Sequence, residues 1–321
     1  MIASIIIGMG IFGAINAFTG DIYVHDPSFI KSGNCWYVFC TGSEEFANGN
    51  AQIRKSCNGG DFSRIGAVFN TTPAWLQNVI HKTPPNIWAP DINYFNGQWY
   101  VYYSGSIWGT MDSAIGVATA SNVEGPYTDH GEVIHSNGAL HSGNISAMDP
   151  ELAWSYTNEK KTDPWLVFGS FNGGIYAHKL DSKTGKFSSD DKEIYHLSSI
   201  GEASSTTYHN GHYYLFVSVG SCCKGVNSTY HVVMGRASKI TGPYVDHNGK
   251  DMLSGGGTQI TSNHGNVYGP GGEDVYIDGN TTRMIYHWYD GAHNGRPTMD
   301  IVDLVWSADG WPTVGSQSKL N

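Results

Sequence analysis

The chain has 321 residues, enough to bury a large core as one big or two ordinary domains. Charged residues make up only 14% of it, while Gly (41), Tyr (19) and Trp (10) are abundant, which suits an all-β protein with tight turns and an aromatic-lined cleft. The net charge of −10 argues against nucleic acid or an anionic membrane as partner and is easier to reconcile with a neutral polymer.

From the N-terminus, Met1 to Phe18 is apolar apart from Ser4 and Asn16, and no Lys or Arg precedes Lys31. Residues 1–17 read as a signal peptide without its basic n-region, cleaved after Ala17. A membrane anchor would need about 20 apolar residues, and Asp21 arrives too soon. The expected localisation is therefore secreted and extracellular, with residues 18–321 forming one catalytic domain. Sequons at Asn70, Asn144, Asn227 and Asn280 agree with secretion. The cysteines (Cys35, Cys40, Cys57, Cys222, Cys223) are too few for a disulfide scaffold and lack zinc-finger spacing. Their odd number leaves a thiol free unless it pairs between chains, and the adjacent Cys222 and Cys223 could form a vicinal disulfide or remain thiols.

Helix signals are almost absent beyond the N-terminus. Strand signals recur at Cys35–Phe39, Gln98–Tyr103, Pro164–Phe168, His212–Phe216 and Arg283–His287, each beside Gly, Asn or Asp turn residues. Their centres lie roughly 50–70 residues apart, so five units cover the chain. A second echo pairs Gly116–Tyr127 with Gly235–Tyr244: a strand, an Ala/Ser turn, then Gly-Pro-Tyr. Repeats of this length with about four short strands predict a five-bladed β-propeller. The competing reading is a pair of β-sandwiches with coincidental echoes.

A propeller lines its axis with the first strand of each blade. Those strands would begin near Asp26, Asp91, Asp149, Glu202 and the Gly269–Gly272 run, and proline beside an acid fits a strand's first residue. A lone Asp in such a place commonly bonds backbone amides. Asp26, Asp149 and Glu202 together, in matching positions, point instead to glycoside hydrolysis, which needs one protonated and one ionised carboxyl group. A third acid beside the proton donor can hold its pKa up.

These stretches carry a family likeness. Val24–Ser28, Ile87–Asp91, Ser113–Thr119, Ala147–Pro150, Phe168–Phe171, Gly201–Ser204 and His264–Gly272 run in order over nearly the whole chain. They resemble glycoside hydrolase family 43, and within it the endo-1,5-α-L-arabinanases, especially the fungal type. The resemblance implies a five-bladed propeller and an inverting mechanism acting on arabinan, the side chain of plant cell-wall pectin, by a protein expected to be monomeric. Asp26 is then expected to activate water, Glu202 to protonate the leaving oxygen, and Asp149 to raise the pKa of Glu202 and orient it. Trp88 and Trp108 are candidate sugar platforms, since an indole face packs on a furanose ring. Gly105, Asn144, Ser170 and Phe171 fall where the family lines its cleft. No cofactor is expected with confidence beyond a calcium or sodium ion in the central channel. Many bacterial members hold that ion with a His at the fourth position of the fifth-blade Gly-Pro-Gly motif. Here that position is Gly272, which leaves ion dependence open, with His264 and His287 as other histidines nearby.

Two other readings remain at this level. An exo-acting α-L-arabinofuranosidase or β-xylosidase of the same family would use the same acids. A propeller lectin would bind glycans without needing charged residues at the axis. No His-Glu-x-x-His, Gly-x-Ser-x-Gly or phosphate-cradling loop supports metal or nucleophilic hydrolysis.

Overall fold

The computed structural model describes residues 18–43, 50–136 and 145–320. The expected signal peptide, residues 1–17, lies outside them. Five antiparallel sheets follow one another along the chain. Blade 1 comprises Ser28–Ser32, Cys35–Cys40, Gln52–Ser56 and Asp61–Ala67, with Thr19–Gly20 added in parallel against Asp61. Blade 2 comprises Trp88–Phe95, Gln98–Ser106, Ser113–Ala120 and Thr128–His135. Blade 3 runs through Glu151–Thr157, Lys160–Ser170, Gly174–Lys179 and Tyr195–Ser198. Blade 4 holds Glu202–His209, His212–Val219, His231–Ala237 and Thr258–Gln259. Blade 5 holds Val267–Asp278, Thr281–Asp290, Arg296–Trp306 and Pro312–Gln317. The protein is a five-bladed β-propeller.

The five aromatic-rich runs are the second strands of their blades. Each is apolar along its length because both of its faces are buried between neighbouring blades. Side chains alternate across a strand. Trp99, Val101 and Tyr103 therefore enter the cluster between blades 1 and 2, while Tyr100 and Tyr102 enter the one between blades 2 and 3. The same partition gives one apolar cluster at each of the remaining junctions. Phe29, Trp36, Ile285, Met299 and Ile301 pack blade 1 on blade 5 and close the ring. The repeated Gly-Pro-Tyr echo is one turn used twice: Tyr127 Oη donates to the Val123 carbonyl (2.8 Å) and Tyr244 Oη to that of Ile240 (3.0 Å).

One short α-helix, Trp75–Ile80, escaped the strand-dominated reading. Its Leu76 is seated over Gly105, where a Cβ would come within 2.7 Å of a Leu76 methyl. Among the described residues no helix is long and apolar enough to cross a membrane.

Candidate active site

Each blade enters the axis through the same short bend. Asp26, Ala89, Asp149, Ala203 and Gly272 have φ of 49°, 36°, 50°, 49° and 62°. The first four lie in a region that side-chain-bearing residues seldom occupy, and such strain collects at functional sites. In blades 2, 4 and 5 the ladder slips at this bend. Polar groups anchor all five amides. Asp26 N–H donates to His287 Nδ1 (3.2 Å), Ala89 N–H to Thr41 Oγ1 (2.8 Å), and Asp149 N–H to Ser104 Oγ (2.9 Å). Ala203 N–H donates to Asp149 Oδ2 (3.1 Å) and Gly272 N–H to Ser218 Oγ (2.8 Å).

This register refines the expected equivalence of the acids. Asp26 and Asp149 occupy the bend itself, whereas in blade 4 the bend is Ala203. Glu202 stands one residue earlier, level with His25 and Met148, and so projects from the rim of the channel rather than from the bend.

The acids share an open cavity of about 940 Å³. Blade 1 contributes His25, Asp26 and Thr41, and blade 2 contributes Trp88 and Trp108. Asp149, Phe171, Glu202 and the Gly220–Lys224 loop complete the wall. Trp108 is 74% exposed and meets Trp88 edge-on, with ring centroids 6.3 Å apart. Phe171 is also exposed. Gly105 and Ser170 are not brought to this wall. Gly105 is buried under Leu76, and Ser170 is buried with its Oγ accepting the Asn172 N–H. Both lie within second strands, whose faces are filled by neighbouring blades. Asn144 lies outside the described residues.

Opposed environments separate the acids. Asp26 Oδ2 accepts from Thr41 Oγ1 (2.7 Å) and lies 2.9 Å from His25 Nδ1. Burial pushes its pKa up, but the charge and hydrogen bond of His25, the nearby His287 and the Thr41 bond together hold it below the usual carboxylate range. Glu202 is pushed up to about 7, first by burial and then by the charge of Asp26, against the opposing pull of the Tyr230 hydroxyl, which donates to Glu202 Oε1 (2.9 Å). Asp149 is raised well above the usual carboxylate range, by burial and then by the charges of Glu202 and Asp26. The repulsion between Asp149 and Glu202 disfavours ionising both.

A second tier of acids lies below the first. Asp91 and Glu151 are buried and Asp274 is half-buried, beside Ser28 and Ser205. The Ser28 hydroxyl lies 3.2 Å from Asp91 Oδ1 and 2.9 Å from Asp274 Oδ2, and its one proton serves only one of them. A further proton on the acids completes the set, consistent with Asp91 being raised to about 8 by burial and by the charge of Asp274. Asp91 thus reaches the axis as its spacing implied, but beneath the catalytic layer.

The clustered ligand group at the axis is poor in the oxygen atoms that calcium or sodium takes, but His287 Nε2 is buried there without a hydrogen-bond partner among the described residues and is the nitrogen that would hold an ion or its water. Such hard cations take oxygen ligands. Among the described residues, the clustered ligand group here is His25, Asp26 and His287. It offers a single carboxylate, and His287 Nδ1 is already taken by the Asp26 amide. The space belongs to His287: a Cβ on Gly272 would lie 2.6 Å from His287 Nδ1 and 3.0 Å from Asp26 Oδ1. His264 is exposed, its Nδ1 2.9 Å from the Ser262 carbonyl.

Sequence reasoning missed His25, Tyr230 and Tyr289 as partners of the acids. His25 adjoins Asp26 and offered a signal. Tyr230 reaches Glu202 within blade 4 from 28 residues away, and only the ring closure brings Tyr289 of blade 5 to blade 1.

A family model described as glycosyl hydrolases family 43 matches residues 20–312. The extracellular endo-alpha-(1->5)-L-arabinanase 1 of Bacillus subtilis (strain 168) is 42% identical over 294 residues, covering 90% of this chain and 87% of that protein. The arabinan endo-1,5-alpha-L-arabinosidase C of Emericella nidulans is 35% identical over 321 residues, covering 93% of each. The solved GH43 endo-arabinanase from Bacillus licheniformis superposes with a TM-score of 0.83 at 39% identity, over 92% of this chain and 99% of that one.

Proposed function

The chain belongs to the glycosyl hydrolases of family 43, and from that premise we propose that it is a secreted, monomeric endo-1,5-α-L-arabinanase that cleaves internal bonds of arabinan with inversion. The observation that carries the reading is the pairing, in one open cavity, of an acid held ionised with an acid held protonated. Asp26 activates water, and its Oδ1 remains clear of the two hydrogen bonds made to Oδ2. Glu202 protonates the departing oxygen. Asp149 accepts from the amide of Ala203, next to Glu202 in the chain, and its charge bears on that acid. Trp88, Trp108 and Phe171 supply apolar faces for furanose rings. Secretion is supported by the extracellular B. subtilis relative.

Product analysis on debranched arabinan tests the reading. A spread of arabino-oligosaccharides is expected from the first minutes of digestion. Release of arabinose alone from chain ends would make the protein an exo-acting enzyme, and binding without any product would make it a lectin.

Asp149→Asn should move the alkaline limb of kcat/KM to lower pH, because the repulsion between the Asp149 and Glu202 carboxylates is mutual. The limb should stay above the ordinary glutamate range, since burial and Asp26 still act on Glu202. An unmoved limb in a folded variant would limit Asp149 to orientation.

A further inference from the structure

The reaction assigned above makes no use of the disulfide between Cys222 and Cys223, yet both residues stand in the cleft wall beside the base. The Cys223 N–H donates to Tyr289 Oη at 2.7 Å. Tyr289 Oη lies 2.8 Å from His25 Nε2, and His25 Nδ1 lies 2.9 Å from Asp26 Oδ2. Cys223 Sγ is 3.8 Å from the same His25 Nε2.

This chain of bonds has a direction. A backbone amide can only donate, so the Tyr289 oxygen accepts from Cys223 and faces His25 Nε2 with a remaining lone pair and its own proton. Ionised Asp26 can only accept, so His25 carries a proton on Nδ1 and delivers it to Asp26 Oδ2. His287 stacks on His25 at 3.8 Å and fixes the plane of the ring. Thr41 supplies the second bond to Oδ2. Both donors fall on one carboxylate oxygen, which leaves Oδ1, 3.7 Å from His287 Nδ1, free of them. The first link is the amide of Cys223, whose φ of 66° lies where non-glycine residues are rare. Closing adjacent cysteines into a small covalent ring restricts the backbone that places this amide.

We propose that the Cys222–Cys223 disulfide is a positioning element for Asp26, acting through Tyr289 and His25, and that a dithiol which reduces it lowers turnover. In that step the S–S bond breaks, the two sulfurs take up two electrons and two protons as thiols, and the dithiol closes to its own disulfide. The inference rests on Asp26 being the base.

The test is steady-state kinetics on debranched arabinan before and after dithiothreitol, followed by reoxidation. Reduction should lower kcat about tenfold, as expected for a misplaced reacting group, with KM changed by less than about twofold. Reoxidation should restore it. Dithiothreitol also reaches the Cys35–Cys57 disulfide, so the loss must persist in Cys35→Ser/Cys57→Ser. Should that variant fail to fold, mass-spectrometric mapping of alkylated cysteines in the native enzyme must show the loss tracking Cys222 and Cys223. Tyr289→Phe should show the lowered kcat already and respond no further to reductant, because the two act in series. Recorded at a pH above the titration of the imidazole, a long-range 1H–15N spectrum should show His25 as the Nδ1–H tautomer in oxidised protein and as a mixture after reduction. An unchanged kcat, or a rise in KM alone, would overturn the proposal. Activity surviving in Asp26→Ala would instead overturn the assignment of the base, so the two failures are distinguishable.

Discussion

Glu202→Gln is expected to lower kcat on debranched arabinan by about 10³-fold or more, within the range general acid catalysis contributes at its upper end. Glutamine keeps the size of the side chain and an oxygen for the Tyr230 hydroxyl, which now donates at 2.9 Å, so the fold and KM should change little. What it lacks is a proton to give. The loss should therefore depend on the leaving group: an aryl arabinofuranoside with an acidic phenol departs without help and should retain much of its rate. The pH profile supplies a second reading. Glu202 works protonated, and its pKa is raised to about 7 by burial and by Asp26, so kcat/KM of the native enzyme should fall as pH rises through about 7. In Glu202→Gln, assayed on the aryl substrate, that limb should vanish. Equal losses on both substrates would remove Glu202 from the role of acid.

The same shift bears on stability, with a definite sign. The folded protein holds the Glu202 proton more tightly than the unfolded chain does. That contribution is fully present below the ordinary glutamate pKa and is lost as pH rises toward about 7. Asp91 and Glu273, each raised to about 8 with burial the leading cause, act in the same direction. Activity and stability should thus decline together on the alkaline side.

Much of this was legible in the sequence because the strongest signals are the most deeply buried strands. Val101, Leu166 and Leu215 are fully buried, and the apolar runs around them marked five blades without any long-range information. The Asp-Pro pairs at Asp26 and Asp149 likewise marked the bend where a strand turns into the channel. The register within a bend was not legible. Glu202 and Ala203 could each have matched Asp26, and only the slipped ladder between Glu202 and Ser205 settles which one takes the left-handed position. Gly105 and Ser170 misled for a related reason: they lie close in sequence to cleft residues, but on strands whose faces are already packed. His287, considered as an ion ligand, accepts the Asp26 amide at Nδ1 and fills the space beside Gly272, while its Nε2 keeps no hydrogen-bond partner among the described residues. Such a role depends on blade 5 abutting blade 1, a contact between the two ends of the chain that no local pattern encodes.

Asp26→Ala should abolish turnover of arabinan, with a loss of about 10³–10⁴-fold, because no other ionised carboxylate is left to take the proton from water. Asp149 and Glu202 cannot substitute, since burial keeps both on the protonated side. Binding should survive, because Trp88, Trp108 and Phe171 come from blades 2 and 3 and none of them is bonded to the Asp26 side chain. A melting temperature close to that of the native enzyme is the necessary control, given that the Asp26 side chain also ties Thr41 and His25 together. Azide added to this variant distinguishes mechanism from mere damage. An anion small enough for the space left by the carboxylate needs no base, so it should attack the activated aryl substrate and restore rate. Inversion then requires the β-arabinofuranosyl azide. A nucleophilic Asp26 would give the same β-azide in this variant, so the stereochemistry of the native product separates the two roles: β-arabinofuranose formed first marks Asp26 as a base, and α-arabinofuranose would make it a nucleophile. The same variant probes coupling across the channel. The charge of Asp26 is one cause of the raised pKa of Glu202, so the alkaline limb in Asp26→Ala should move below about 7. Base and acid are then two ends of one electrostatic arrangement, in which ionisation of Asp26 keeps the proton on Glu202.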